Sequence, residues 1–202
     1  MKAQANTSTK RPRWLDEEQH RLVQRLELSA AYHSKRERFL LTCERLSQGT
    51  AAVAATAAFT QFFNPQNANT PYFSMFAAVA SITPLVFGWA SRANKHAVLA
   101  GDHRRLLSRV IGSCFDLSEE QLVVFRGDLA AIEANEGASL GALVVQCQNE
   151  LASASNHPEF VVPLKWYQRA LMHILDFDIR PPDRSDGASS KATALSPTPE
   201  AR

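Results

Sequence analysis

The side chains able to do chemistry in this chain are few and scattered. Six histidines invite a metal reading; His96 and His103 lie seven apart, two turns along roughly one helix face, with Asp102 beside them. Metal pairs carried on a helix normally sit three or four residues apart with further ligands close by. These histidines therefore read as solvated or interfacial polar residues, and no metal site is expected. Cys43, Cys114 and Cys147 are an odd set without paired spacing, and none stands near a histidine at ligand spacing. Such a set fits a reducing compartment rather than a disulfide framework. There is no Gly-rich phosphate loop, and no Ser, Cys or carboxylate pair sits in a nucleophile setting. No catalytic residue and no cofactor is predicted, and the chain is expected not to be an enzyme.

The informative feature is a gap in the charge pattern. Residues 46–91 contain no Asp, Glu, Lys, Arg or His in a chain that is 21% charged. A window of that length would otherwise carry about ten charges. The gap divides into an apolar segment at 46–63, a polar uncharged centre at 64–71 bounded by Pro65 and Pro71, and a second apolar segment at 72–91. A bilayer needs ~20 residues per helical span. The pattern predicts an integral-membrane helical hairpin with two transmembrane helices.

The two spans are unequal. The first is rich in Ala and Thr, so it would insert only marginally on its own. Gly49, Ala52, Thr56 and Thr60 recur near every fourth residue, a spacing that lets another helix approach closely. With Ser47, Gln48, Thr50 and Gln61 they are candidates for pore lining or helix packing. The second span carries Tyr72, Phe73, Met75, Phe76, Val79, Ile82, Leu85, Val86, Phe87 and Trp89. Tyr72 and Trp89 lie near its ends, as interfacial aromatics do. Pro84 removes one helical hydrogen bond and predicts a kink.

Around this hairpin the chain is charged and amphipathic. Residues 1–15 and 179–202 are polar and aperiodic and predict disordered ends. A helix is expected to open at Asp16, where Gln19 completes a capping-box pattern, and to run unbroken, save for Gly49, into the first span. After residue 91 an amphipathic helix continues the second span until a break at 112–117. Ser118-Glu-Glu-Gln121 starts the next helix, Ser139 another, and Trp166, Tyr167, Ala170, Leu171, Ile174 and Leu175 form the apolar side of a last one. No alternating β-type pattern appears. The fold class is all-α, with coiled-coil-like amphipathic helices before and after the hairpin.

Charge sets the expected orientation. Lys35, Arg36, Arg38 and Arg45 precede the hairpin, and Arg92, Lys95, Arg104, Arg105 and Arg109 follow it. The positive-inside rule places both long ends in the cytoplasm, with Arg36, Arg38, Arg45, Arg92 and Lys95 as topology or headgroup contacts. Arg104, Arg105 and Arg109 also form a candidate receiver for an anionic messenger. A net charge of +2 and a pI near 8.5 are too mild to argue for nucleic acid. The mean hydropathy of −0.21 hides the hairpin, because every charge falls outside it.

This order of parts resembles the SLATT family, the SMODS- and SLOG-associating two-transmembrane effector domains of bacteria. The likeness rests on Tyr32-His-Ser-Lys-Arg-Glu-Arg38, the Pro-bearing second span, Ser118-Glu-Glu-Gln121 and Leu164-Lys-Trp-Tyr-Gln-Arg-Ala-Leu-Met-His-Ile174. It covers residues 16–178. It implies an oligomeric, pore-forming or membrane-disrupting effector of the inner (plasma) membrane, acting in nucleotide-linked anti-phage defence. This chain shows no fused sensor, so a separate sensor protein or nucleotide second messenger would be its trigger. Two other classes compete: a membrane-anchored interaction or scaffold protein whose hairpin is only an anchor, and a soluble all-α domain whose Ala-rich hairpin is a buried core.

Overall fold

The computed structural model describes residues 12–62, 70–113, 117–177 and 179. Most of both terminal tails and the centre of the 64–71 connection lie outside them. Every regular element among the described residues is helical: α1 (Arg13–Phe62), α2 (Thr70–Phe87), α3 (Trp89–Gly112), α4 (Glu119–Glu133), α5 (Gly141–Ala154), a 3-10 turn (Pro158–Phe160) and α6 (Trp166–Leu171). The chain forms two compact units, residues 1–139 and 140–202. The boundary falls inside the stretch that reads as one domain from sequence.

In the first unit α1 is the mast. Its fifty residues contain no proline, and its single interior glycine, Gly49, costs about 1 kcal/mol against alanine without breaking the rod. One face is buried at a seven-residue interval: Gln19, Leu26, His33, Leu40, Ser47 and Ala54. A seven-residue period keeps a seam facing one partner over many turns. That partner is α3 along the lower half of α1 and α2 along the upper half. α4 closes the bottom, where Leu15, Leu22, Val23, Leu26, Leu106, Val110, Leu117, Leu122, Phe125 and Leu129 form the hydrophobic core. The seam changes character with height: leucines below, small residues (Ser47, Ala54, Ala80) above. Small side chains let α1 and α2 approach closely where no water-driven core exists to hold them.

Local signals explain most element ends. Ser118 caps α4: its Oγ accepts from the Gln121 amide at 3.2 Å and Gln121 Oε1 accepts from the Ser118 amide at 3.0 Å. Pro71 falls in the first turn of α2, where a missing N–H costs nothing. The Asp16 capping box does not form. α1 opens at Arg13, with Leu15 bonding back to the Pro12 carbonyl and packing into the core, and Asp16 sits inside the first turn. The expected uninterrupted passage from the second span into α3 is also corrected. Gly88 adopts the left-handed conformation (φ 58°, ψ 39°) and separates α2 from α3. Only glycine takes that conformation without strain.

Among the described residues one helical run, Met75–Gly112, is long and apolar enough to cross a membrane. The 46–63 segment of α1 does not reach that hydropathy, in keeping with its Ala and Thr content.

The second unit is held by α5. Asn149 clamps the extended chain at Val162 with both ends of its amide: Nδ2 donates to the Val162 carbonyl at 2.7 Å and Oδ1 accepts from the Val162 amide at 2.8 Å. The Gly141 amide donates to Asp176 at 2.9 Å, and a side chain on Gly141 would collide with the Phe177 carbonyl. The last helix is shorter than expected, six residues, and it buries none of them; Trp166 is 81% exposed.

Candidate functional site

Two levels of the first unit carry unusual chemistry: the upper part of the α1–α2 pair and a polar layer in the seam below it.

At the upper level the apolar side chains point outward. Val53, Phe59, Tyr72, Met75, Phe76, Val79, Ile82, Val86 and Phe87 are exposed, and Leu85 is 82% exposed. The hydroxyls close on carbonyls of their own helices: Thr50 donates to Ser47, Thr56 to Ala52, Ser81 to Ala77 and Thr83 to Val79, all within 2.9 Å. Pro84 has no N–H, so the Ala80 carbonyl loses its helical donor. The Ser47 hydroxyl reaches across from α1 and donates to that carbonyl at 3.1 Å, with Ser47 and Ala80 both buried. Sequence reasoning flagged Ser47 and Pro84 separately; the structure joins them. Gly49 and Thr56 are exposed. Gly49 floors an apolar groove of about 440 Å³ between Arg45, Leu46, Thr50, Val53, Ala54 and Phe76. The side chains of Thr60 and Gln61 lie outside the described residues.

The basic residues divide into two groups. Arg38, Arg45, Arg92 and Lys95 are exposed, below or at the edge of the uncharged segment, and Arg36 is partly buried there. Burial lowers the Arg36 pKa from its ordinary value, and the nearby positive charge of Arg92 works in the same direction. The expected anion receiver is already engaged within the chain. Arg104 donates to Ser34 Oγ at 2.6 Å, Arg105 pairs with Asp102 at 2.7 Å, and Arg109 pairs with Asp128 at 2.7 Å while lying over the Phe125 ring.

The polar layer occupies the seam position between Leu26 and Leu40. There α1 presents His33 (3% exposed), α3 presents His96 and His103 (0% exposed), and the segment just after α4 presents Glu136. Glu136 Oε1 lies 3.1 Å from His33 Nε2 and 3.1 Å from His103 Nε2. His33 Nδ1 is 2.9 Å from His96 Nδ1, and His103 Nδ1 donates to the Leu99 carbonyl at 2.8 Å. Tyr32 packs edge-on against His33 and His96. Burial lowers the His33 pKa, opposed by the hydrogen bond and charge of Glu136 and assisted by His103. Burial lowers His96 to about 4, helped by His33, Arg36 and Lys95. Both rings are therefore neutral near pH 7, each with one N–H and one lone pair. His33, His103 and Glu136 bring three donor atoms within 4.8 Å of one another.

Sequence reasoning singled out His96 and His103 and set them aside for want of further ligands. The missing partners, His33 and Glu136, lie 63 residues before His96 and 33 residues after His103. The readable signal was the seven-residue register of α1, which puts a histidine where leucines stand one period above and below. Comparison of the chain with protein-family models, with curated proteins and with solved structures finds no match.

Proposed function

We propose that the chain is a membrane-embedded effector of the SLATT type. In this reading the upper half of α1 and α2 enter the plasma (inner) membrane as a two-span hairpin with both termini on the cytoplasmic side. Copies then assemble through the small-residue face of the first span. Assembly permeabilises the membrane when a separate sensor protein or a nucleotide messenger releases it.

One observation carries the reading: the uncharged segment presents its apolar side chains outward and closes its hydroxyls on backbone carbonyls. Soluble monomers rarely present contiguous apolar patches beyond a few hundred Å². In hydrocarbon the preference inverts, and each hydroxyl closed on a carbonyl removes an unsatisfied polar group. α2 alone spans about 27 Å at 1.5 Å per residue, close to the ~30 Å of a bilayer core. Gly49 and Thr56, both exposed on α1, supply a face on which a second helix can sit. A single hairpin encloses no channel, so permeation requires that assembly.

The test is expression in bacteria with a membrane-potential dye, beside carbonate extraction of the membranes. The proposal expects retention in the pellet and depolarisation on triggering. Retention with unchanged polarity and viability would support the anchor reading instead, which the exposed Phe160, Trp166, Ile174 and Leu175 of the second unit favour as a partner-docking surface. Release by carbonate would remove both.

A further inference from the structure

We propose that His33, His103 and Glu136 bind a divalent first-row transition metal ion, best matched by Zn²⁺, with His96 as the outer partner that orients His33. This site stands on the lower seam of the first unit and does not depend on the membrane reading.

His103 is fixed in one tautomer. Its Nδ1 faces the Leu99 carbonyl at 2.8 Å, and a carbonyl only accepts, so Nδ1 carries the ring proton. The neutral ring then directs the lone pair of Nε2 at the Glu136 carboxylate, another acceptor, 3.1 Å away. That nitrogen is fully buried and makes no hydrogen bond. Two acceptors facing each other in a dry seam repel unless a cation lies between them. A histidine fixed through Nδ1–H to a backbone carbonyl, with Nε2 free, is the arrangement that metal-ligating imidazoles use.

His33 can take the same tautomer, because His96 Nδ1 can accept. When its Nδ1 donates to His96 Nδ1, its Nε2 lone pair also points at Glu136 Oε1. Two imidazole nitrogens and one carboxylate oxygen form a donor set suited to Zn²⁺ and its neighbours. A tetrahedral zinc with bonds of ~2.0–2.1 Å has donor–donor edges of about 3.3 Å. Both nitrogen–oxygen edges here are 3.1 Å, within a few tenths of an ångström of that value, and all three donor atoms lie within 4.8 Å of one another. Glu136, whose side chain is 23% exposed, provides the way in. Such an ion would tie α1, α3 and the segment after α4 together at one point.

A proton on His103 is the competing occupant, since an imidazolium would also separate the two acceptors. The experiment distinguishes them. The full untagged chain in detergent is stripped with EDTA, dialysed against Zn²⁺ or Co²⁺, and assayed for bound metal and for the visible absorption of tetrahedral Co²⁺. The proposal expects ~1 equivalent per chain and a rise in Tm with Zn²⁺. Glu136→Gln, conservative in shape and at a partly exposed position, should abolish both. His96→Ala should weaken binding by ~10–100-fold, the usual cost of losing an outer-shell partner. His103→Ala adds support if circular dichroism shows it folded; if it is not, Glu136→Gln decides. Absence of Zn²⁺ and Co²⁺ uptake overturns the proposal, as does uptake that Glu136→Gln leaves unchanged.

Discussion

Replacing Ser47 by alanine tests how the chain tolerates a proline inside α2. In the native chain Pro84 deprives the Ala80 carbonyl of its helical donor, and Ser47 Oγ supplies one at 3.1 Å. Ser47→Ala removes that donor and leaves a buried carbonyl unsatisfied, which on general grounds costs ~1–3 kcal/mol. Measured interhelical hydrogen bonds within bilayers average nearer ~0.6 and reach ~1.7 kcal/mol. A loss of about 1 kcal/mol is therefore expected for Ser47→Ala. Pro84→Ala restores the N–H four residues after Ala80, so the carbonyl regains a partner inside α2. In that background Ser47→Ala should cost far less, giving a coupling of ~0.5–1 kcal/mol between the two positions. The assay is reversible unfolding of all four proteins in one detergent, followed by circular dichroism. Equal cost of Ser47→Ala with and without Pro84, within ~0.3 kcal/mol, would refute the idea that the hydroxyl compensates for the proline.

Other outcomes follow from the same structure. The metal-stripped protein should lose stability on acidification, because burial lowers the pKa of His33 and of His96 below the 6.5 of the unfolded chain. Between about 6.5 and about 4 the unfolded chain binds more protons, so stability falls as pH falls through that window. The full difference at His96 corresponds to ~3 kcal/mol, which solvent access to this partly exposed ring reduces to ~1–2; a flat stability profile there would contradict the buried neutral layer. Gly49→Phe should leave the fold of one copy intact, because nothing lies within 4 Å of a Cβ placed there. It should nonetheless change the oligomer distribution in detergent; an unchanged distribution would count against the groove as an assembly face. Ser118→Ala should lower stability by ~0.5–2 kcal/mol by removing the α4 cap. A change of under ~0.2 kcal/mol in a denaturant melt would show the cap to be idle.

What could be read ahead of the structure was mostly local. The Ser118 box, the end of α3 at Gly112 and the unbroken course of α1 each depend on neighbouring residues, so the expectation and the observed elements agree. Gly88 was lost because a glycine reads alike in a helix or in a left-handed break; the exit from α2 four residues after Pro84 becomes visible only with dihedral angles. The apolar spacing around Trp166 predicted a buried helical face, yet among the described residues of the second unit no layer covers it. The histidine layer was the largest omission. His33 is ordinary within its own helix, and its meaning comes from His96, His103 and Glu136, which only the folding back of α3 and α4 brings within reach. A site assembled from two helices and the segment after a third leaves no ligand-spacing motif.

The central claim is that residues 46–91 cross a bilayer twice, with both ends on one side. Single cysteines can be placed at Asn67→Cys in the connection and Lys35→Cys on α1, the native cysteines being replaced. Labelling intact spheroplasts with a membrane-impermeant maleimide tests the claim most directly. The account predicts that Asn67→Cys labels from outside and that Lys35→Cys labels only after the membrane is opened. Labelling of both positions, or of neither, in intact cells would contradict it.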